Sequence, residues 1–335
     1  MANVSNINFN NVSIVVHELT SSEHYKKTED SKELIPFLNK ISFVIEKKDI
    51  VGISADNKTE LKILIEILGN MRSHLKGVIR LTDLGIRSTK RLVLEKIFYI
   101  DSNKILYEDM TLLEQLMFVA NMLHGKTKAN PADLQKSILD LIHSCSLDEY
   151  VVTPLKQLSD GLRMVISILV GLMSDSEKII INAIDYEFSQ DEILKLCKIF
   201  KYFRKQNKTI ILATMQSKMI GMCCNHVLYV NDGQLKVDCT IDELYKKWDK
   251  VVCSIKTDEI IELDQLIKNN FKGIITSVVD GILYVKDYSD NAIISDDIYY
   301  LARKNNIKIS FIRFNSGRVE NAFNEIRSTF NDLYK

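Results

Sequence analysis

The chain has 335 residues, with 44 basic and 44 acidic side chains and a formal net charge of zero. This balance argues against a protein that coats nucleic acid, because such proteins normally carry a basic excess. Apolar residues make up 46% and charged residues 26% of the sequence, which is typical of a globular chain. The 12 glycines are roughly half the average usage, which is unusual for a protein that holds phosphates with glycine-rich loops.

Neither membrane spans nor metal sites are predicted. No uninterrupted apolar stretch reaches the roughly 18 residues that a transmembrane helix needs, and residues 1–10 lack the features of a signal peptide. We therefore expect a cytoplasmic protein. The six cysteines form no CxxC pair and lack zinc-ligand spacing, so we expect reduced, mostly buried thiols and no bound metal.

The chain begins with a tail, residues 1–10, followed by strand patterns at 13–16, 41–45 and 50–53. The charged stretch 21–33 predicts a solvated loop or a hairpin extension. Apolar residues at helical spacing between residues 61 and 68 then predict a helix.

Residues 100–175 favour helices, and after them strands and helices alternate again. Short apolar runs at 178–181 and 209–214 predict buried parallel strands, and residues 227–236 predict a hairpin. Capping residues predict where the helices start. These signals are Thr111 with Glu114, Asn130 with Pro131, Ser159, and Ser189 with Glu192.

The pattern changes once more after residue 248, where short alternating strands mix with helices. The predicted strands are 251–255, 281–285 and 308–314, and the predicted helices are 295–304 and 319–333. We therefore predict an α/β domain over residues 11–248, with a helical subdomain at about 102–175. A small C-terminal α/β domain is predicted over residues 249–335.

Three segments carry a resemblance to a known family. Residues 107–111 read YEDMT, residues 158–163 read LSDGLR, and residues 228–244 read LYVNDGQLKVDCTIDEL. In this order they resemble the segment after the Q-loop, the signature motif and the closing segment of ATP-binding cassette (ABC) transporter ATPases. Residues 318–323 resemble the closing helix of exporter-type subunits. The resemblance covers about residues 10–248 and implies an α/β, P-loop NTPase-like core with an inserted helical subdomain.

In that family a glycine-rich loop holds the phosphates with inward-pointing N–H groups and one Lys. The corresponding residues here are Ala55, Asp56, Asn57, Lys58, Thr59, Glu60, Leu61 and Lys62. Ala55, Lys58 and Glu60 stand at glycine positions, where side chains obstruct the close approach of phosphate. In an ungapped alignment Leu61 stands at the Lys position, and Lys62 replaces the hydroxyl that binds magnesium. Shifting the alignment to recruit Lys58 still leaves no glycines around it. We therefore expect weak or absent nucleotide binding by this chain's own loop.

The other catalytic positions of the family also carry different residues here. The resemblance places Ser102 at the Q-loop glutamine, Ser189 at the D-loop aspartate and Met215 at the switch histidine. The Asp-Glu pair becomes Asn182 and Ala183, and Ala183 cannot act as a general base because a methyl group accepts no proton. We expect no hydrolysis in this site, so whether the chain acts as an enzyme stays uncertain.

The signature segment is better preserved, and its residues are Leu158, Ser159, Asp160 and Gly161. In the family this segment contacts the nucleotide of a partner cassette across a head-to-tail dimer. Ser159 and Gly161 are therefore expected to face a partner's nucleotide, and the alternative is that Ser159 is only a helix N-cap. The resemblance also predicts that Tyr107 and Met110 contact a membrane subunit.

Our hypothesis from the sequence is a non-hydrolysing ABC subunit of a peptide or antibiotic exporter, at the inner face of the plasma membrane. It would pair with an intact ATPase subunit and a multi-span permease, and ATP with Mg²⁺ would bind through the partner's site. A homodimer remains possible on the sequence alone. The alternatives are a weakly active ordinary ATPase subunit and a scaffold or regulatory protein that reuses the fold.

Overall fold

The fold is taken from a computed structural model of the chain. It describes residues 11–26, 34–81, 97–101, 106–124, 130–288, 295–314 and 319–332. The chain divides into two compact units, residues 1–240 and residues 241–335. The division falls before Ile241–Trp248, because this helix packs against Val319–Asp332 in the C-terminal unit. The sequence predicts the boundary after this helix, at residue 248.

The first unit alternates strands and helices. Its strands are β1 Val12–Ser21, β2 His24–Lys26, β3 Leu34–Pro36, β4 Ile41–Glu46, β5 Ile50–Ala55, β6 His74–Leu81, β7 Ile97–Ile100, β8 Lys178–Asn182, β9 Thr209–Ala213, β10 His226–Asn231 and β11 Gln234–Thr240. Its helices are α1 Lys58–Leu68, α2 Leu112–His124, α3 Pro131–Ser144, α4 Asp160–Leu172, α5 Gln190–Lys205 and α6 Ser217–Cys223. The helices α2 to α4 lie between β7 and β8, where the sequence predicts a helical subdomain.

The main sheet of this unit has the strand order β11-β10-β5-β9-β8-β7. From β10 to β7 the neighbouring strands run parallel, and β11 pairs antiparallel with β10. Successive residues of a strand point to opposite faces. Accordingly, Ile179 and Ile181 enter one hydrophobic core with α2 to α5, whereas Ile180 enters a second core with α1 and the sheet β4-β1-β6. The predicted α/β architecture with a parallel, doubly covered sheet is confirmed.

The predicted helix starts are also confirmed by side-chain caps. The Asn130 Oδ1 atom accepts the Ala132 N–H at 3.2 Å at the start of α3, and Glu114 accepts the Thr111 N–H at 2.8 Å before α2. Ser189 begins α5 with both halves of its capping box in place. Short side chains with oxygen acceptors thus satisfy backbone donors that a helix leaves open. No helix within the described ranges combines the length and apolar composition that crossing a bilayer requires.

The C-terminal unit begins with α7, Ile241–Trp248. It continues with β12 Val251–Thr257, α8 Ile260–Asn270, β13 Ile274–Val279, β14 Ile282–Asp287, α9 Ser295–Lys304, β15 Ile309–Phe314 and α10 Val319–Asp332. The strand order is β13-β14-β12-β15, with antiparallel neighbours throughout. From β12 to β15 this is the β-α-β-β-α-β arrangement of ferredoxin-like units.

One expectation about the cysteines is wrong. Cys197 on α5 and Cys223 on α6 form a disulfide whose Cα atoms lie 4.6 Å apart, a separation that a disulfide spans without backbone movement. The expectation of reduced thiols is therefore wrong for Cys197 and Cys223. Cys145 and Cys253 are free and buried, as expected, and burial raises the pKa of their thiols to about 12.

Candidate functional site

The candidate site lies at the carboxyl edge of the main sheet, where β5, β9 and β8 end side by side. Ala213 pairs with Ile53 on one side and with Asn182 on the other, so the three strand ends are in register. In open α/β sheets, ligands bind beyond the carboxyl ends of the strands. The segments that follow these strands therefore lie close together. Most of the catalytic and phosphate-loop positions predicted from the sequence belong to these segments.

The segment after β5 is a two-residue turn. Ala55 ends β5, Asp56 and Asn57 form the turn, and α1 begins at Lys58. The Asn57 Oδ1 atom accepts the Thr59 N–H at 2.8 Å and so satisfies one of the backbone donors at the helix start. The residues from Lys58 to Lys62 belong to the helix itself, and the turn contains no glycine that would let phosphate approach the backbone.

Glu60 lies in the first turn of α1 with only 3% of its surface exposed. The backbone N–H of Gly233 donates to its carboxylate, and its Oε2 atom lacks a hydrogen-bond partner among the described residues. Burial, followed by the nearby charges of Asp232 and Asp56, raises the pKa of Glu60 to about 7. An acidic group is therefore buried in the first turn of α1, directly after the turn that follows β5.

Two more polar side chains of this segment contact protein groups. The fully buried Tyr229 donates its hydroxyl to the Asp56 carboxylate. The Lys58 Nζ atom forms an ion pair with Asp185 at 3.2 Å, and both side chains are largely exposed. An exposed pair of this kind contributes little to stability, but it places a carboxylate beside the lysine that would otherwise attract a phosphate.

A cavity of about 350 Å³ opens beside α1. Its lining includes the cations Lys58, Lys62 and Arg72, together with the carboxylates Glu23 and Asp185. Arg72 forms ion pairs with Glu23 and Glu66. Much of the positive charge around the cavity is thus neutralised by neighbouring carboxylates, which weakens the attraction for a triphosphate.

The segments after β8 and β9 offer no general base at the predicted positions. Asn182 hydrogen-bonds to Tyr99, and its Oδ1 atom accepts the Ile184 N–H at 3.4 Å. Ala183 is fully buried, and Met215 packs against the core that contains α1. Ser189 is occupied as the N-cap of α5. The remaining predicted position, Ser102, lies outside the described residues.

A contact that sequence reasoning missed joins the two segments. The Gln216 side chain donates from Nε2 to the Phe188 carbonyl at 2.7 Å and accepts the Phe188 N–H at 3.2 Å. This pair of hydrogen bonds ties the residue after Met215 to the residue before Ser189. In the sequence, Gln216 is a single polar residue directly after Met215. Nothing in the sequence indicates that its side chain contacts Phe188.

The signature segment lies at the start of α4. Ser159 is the N-cap, and its Oγ atom accepts the Leu162 N–H at 3.1 Å. The same hydroxyl lies 3.3 Å from the Glu192 Oε1 atom, to which it donates. The exposed Asp160 forms an ion pair with Arg163 one turn later. The N-cap role of Ser159 is therefore visible in the structure, and Leu158 lies buried just before it.

The two predicted docking residues lie just before α2. Tyr107 is 55% exposed, and its ring makes an edge contact with Phe118 at 5.2 Å between centroids. The Tyr107 N–H donates to the buried Gln115 side chain at 2.8 Å, which fixes the backbone there. The backbone carbonyl of the half-buried Met110 accepts the Leu155 N–H at 2.9 Å. An exposed aromatic side chain on a fixed backbone is suited to a protein contact.

Comparisons with known proteins identify the fold. The chain matches the solved structure of CbiO1 from Clostridium perfringens, described as part of the ABC transporter complex CbiONQ, with a TM-score of 0.54. The identity is 16% over 71% of this chain and 92% of that one. This chain therefore has the fold of an ATP-binding cassette. The dimeric post-hydrolysis structure of the cassette MJ0796, bound to ADP and Pi, matches with a TM-score of 0.51 and 17% identity, covering 68% of this chain and 98% of that one.

The sequence comparison agrees with the cassette fold. The ABC transporter ATP-binding protein NatA of Bacillus subtilis is 20% identical over 231 residues, which are 68% of this chain and 92% of NatA. Other curated relatives of the cassette carry the names of import as well as export ATP-binding proteins. No family model matches the sequence. The sequence similarity is thus to ATP-binding subunits of ABC transporters.

The residues of this cassette do not fit ATP and Mg²⁺ at its own loop. The turn after β5 has two residues and no glycine, and the buried Glu60 stands beside it. The strand end that would supply a metal-binding carboxylate carries Asn182, which lacks the charge.

Proposed function

We propose that this cassette is a non-hydrolysing subunit of a membrane ABC exporter of the peptide or antibiotic type. The observation that carries this proposal is the buried Glu60 in the first turn of α1, beside a turn without glycine, because a carboxyl there opposes phosphate binding. Its partner would be an intact ATPase subunit that binds ATP with Mg²⁺. Pairing of two cassettes is supported by MJ0796, whose structure is described as dimeric.

In this proposal the start of α4 completes the partner's site. Ser159 offers a hydroxyl and Gly161 permits a close approach of the backbone, so the helix N-terminus is suited to the terminal phosphate of the partner's nucleotide. One active site for each pair of cassettes would then drive transport. The export direction is supported by the exporter-like form of the segments 158–163 and 318–323.

The proposed place of the subunit is the inner face of the plasma membrane, against a multi-span permease. The exposed Tyr107, its neighbour Phe118 and Met110 supply the apolar contact for that permease. CbiO1, which shares the fold, is described as part of a transporter complex.

The proposal is tested by Gly161→Asp in the complex reconstituted with the partner ATPase. A charged group at this helix start blocks the approach of phosphate, so ATP turnover should fall by about two orders of magnitude or more. Ile261→Asp is the control, since it adds the same charge at a side chain of the C-terminal unit that is 77% exposed. Assembly of both variants is checked by size-exclusion chromatography. Wild-type turnover from an assembled Gly161→Asp complex would refute the proposal and favour a scaffold role.

A further inference from the structure

The start of α4 already has an anion next to it. The Glu192 Oε1 atom lies 3.3 Å from the Ser159 hydroxyl, which donates to it. The Ser159 Oγ atom also accepts the Leu162 N–H, so the donor and an acceptor site of this hydroxyl are both in use within the chain. A hydroxyl has a single proton, and it cannot be donated to a phosphate while Glu192 receives it.

Gly161 shows how closely the same carboxylate lies over the helix. A Cβ atom added at Gly161 would lie 2.3 Å from the Glu192 Oε1 atom and 2.7 Å from its Cδ atom, far inside van der Waals contact. A side chain at residue 161 would therefore displace the Glu192 carboxylate from this position, whether or not a nucleotide binds. The surface that would admit a phosphate is covered by this carboxylate.

Glu192 is also held from its own helix. Its Oε2 atom accepts the Ser189 N–H at 2.8 Å in the capping box of α5. One carboxylate thus joins the N-terminal ends of two helices, α4 and α5, and negative charge is favoured at both ends by the helix dipoles. A carboxylate oxygen resembles a phosphate oxygen in charge and hydrogen bonding, so the two compete for the same place.

We propose that Glu192 is a built-in competitor that closes the signature segment of this chain until a partner's nucleotide displaces it. This inference rests on the proposed function. In this proposal Glu192 sets the ATP concentration at which the two cassettes associate. Displacement requires the side chain to leave Ser159 and Gly161, and any carboxylate that stays nearby repels the incoming phosphate.

Glu192→Gln tests this competition, because Gln keeps the capping box and removes the charge. Asp191→Asn is the matched control, because this substitution removes an equal charge one residue away. Asp191 is exposed and forms its ion pair with Lys195. Association of the full chain with its partner ATPase is measured by analytical ultracentrifugation against a non-hydrolysable ATP analogue with Mg²⁺ present. Glu192→Gln should lower the half-maximal nucleotide concentration by about tenfold, and Asp191→Asn should leave it near the wild-type value.

A second readout uses the chain alone. Thermal midpoints of Ser159→Ala, Glu192→Gln and the double variant should be non-additive, because the two side chains are in contact. Equal ATP dependence of Glu192→Gln and Asp191→Asn, in a complex whose turnover still depends on Gly161, would overturn the competition and leave the proposed function standing. Turnover that is independent of Gly161 would overturn both.

Discussion

Replacing the buried Glu60 by Gln should change how the stability of the protein depends on pH. The pKa of this carboxyl rises from an ordinary value of 4.5 to about 7 in the folded chain. The folded state therefore keeps a proton that the unfolded state releases, so the free energy of unfolding falls as the pH rises from about 4.5 to about 7. Since a tenfold change in proton affinity is about 1.4 kcal/mol, the total loss is about 3 kcal/mol.

The measurement is urea unfolding, followed by circular dichroism, of the wild type and Glu60→Gln between about pH 5 and pH 8. The free energy of the wild type relative to the variant should decline over this range by up to about 3 kcal/mol. At pH 8 the variant gains less stability than this figure, because its buried Gln amide needs a hydrogen-bond partner. An amide without a partner costs about 1–3 kcal/mol. Glu46→Gln is the control, because Glu46 is exposed. Parallel pH curves for the wild type and Glu60→Gln would refute the reasoning.

Two further predictions concern catalysis and docking. Restoring Glu at Ala183 and His at Met215 should produce no phosphate release from the chain incubated with MgATP, because the turn after β5 still cannot hold the nucleotide; measurable turnover by the folded double variant would contradict this. Tyr107→Ala combined with Met110→Ala should reduce copurification with the membrane subunit about tenfold or more, since an exposed aromatic contact is lost; unchanged copurification would place the docking surface elsewhere.

Local signals in the sequence predict much of the fold. The buried strands β8 and β9 follow from apolar runs, since a strand covered on both faces has no polar side. The helix starts at Asn130, Ser159 and Ser189 follow from oxygen-bearing side chains placed before apolar periodic segments. In the C-terminal unit α8 and β13 were missed. On β13 the apolar side chains of Ile275, Val278 and Val279 are exposed, so the alternation that marks a half-buried strand is absent.

The contacts of the candidate site depend on packing between distant segments, and the sequence does not reveal them. A Glu in the first turn of a helix normally faces solvent, and Glu60 is buried only because the turn at Gly233 comes to lie against it. The capping box of Glu192 is a local pattern and was predicted. Its contact with Ser159 spans 33 residues and exists because α4 packs against α5. The disulfide between Cys197 and Cys223 depends on packing in the same way.

The central claim is that this cassette cannot hold a nucleotide in its own loop. Isothermal titration calorimetry of the full chain with MgATP tests it most directly, with titrant raised to the low-millimolar range of cellular ATP. We predict no saturable heat in that range, because the turn after β5 lacks glycines and the buried Glu60 follows it in α1. A saturating isotherm with a micromolar dissociation constant would contradict the account.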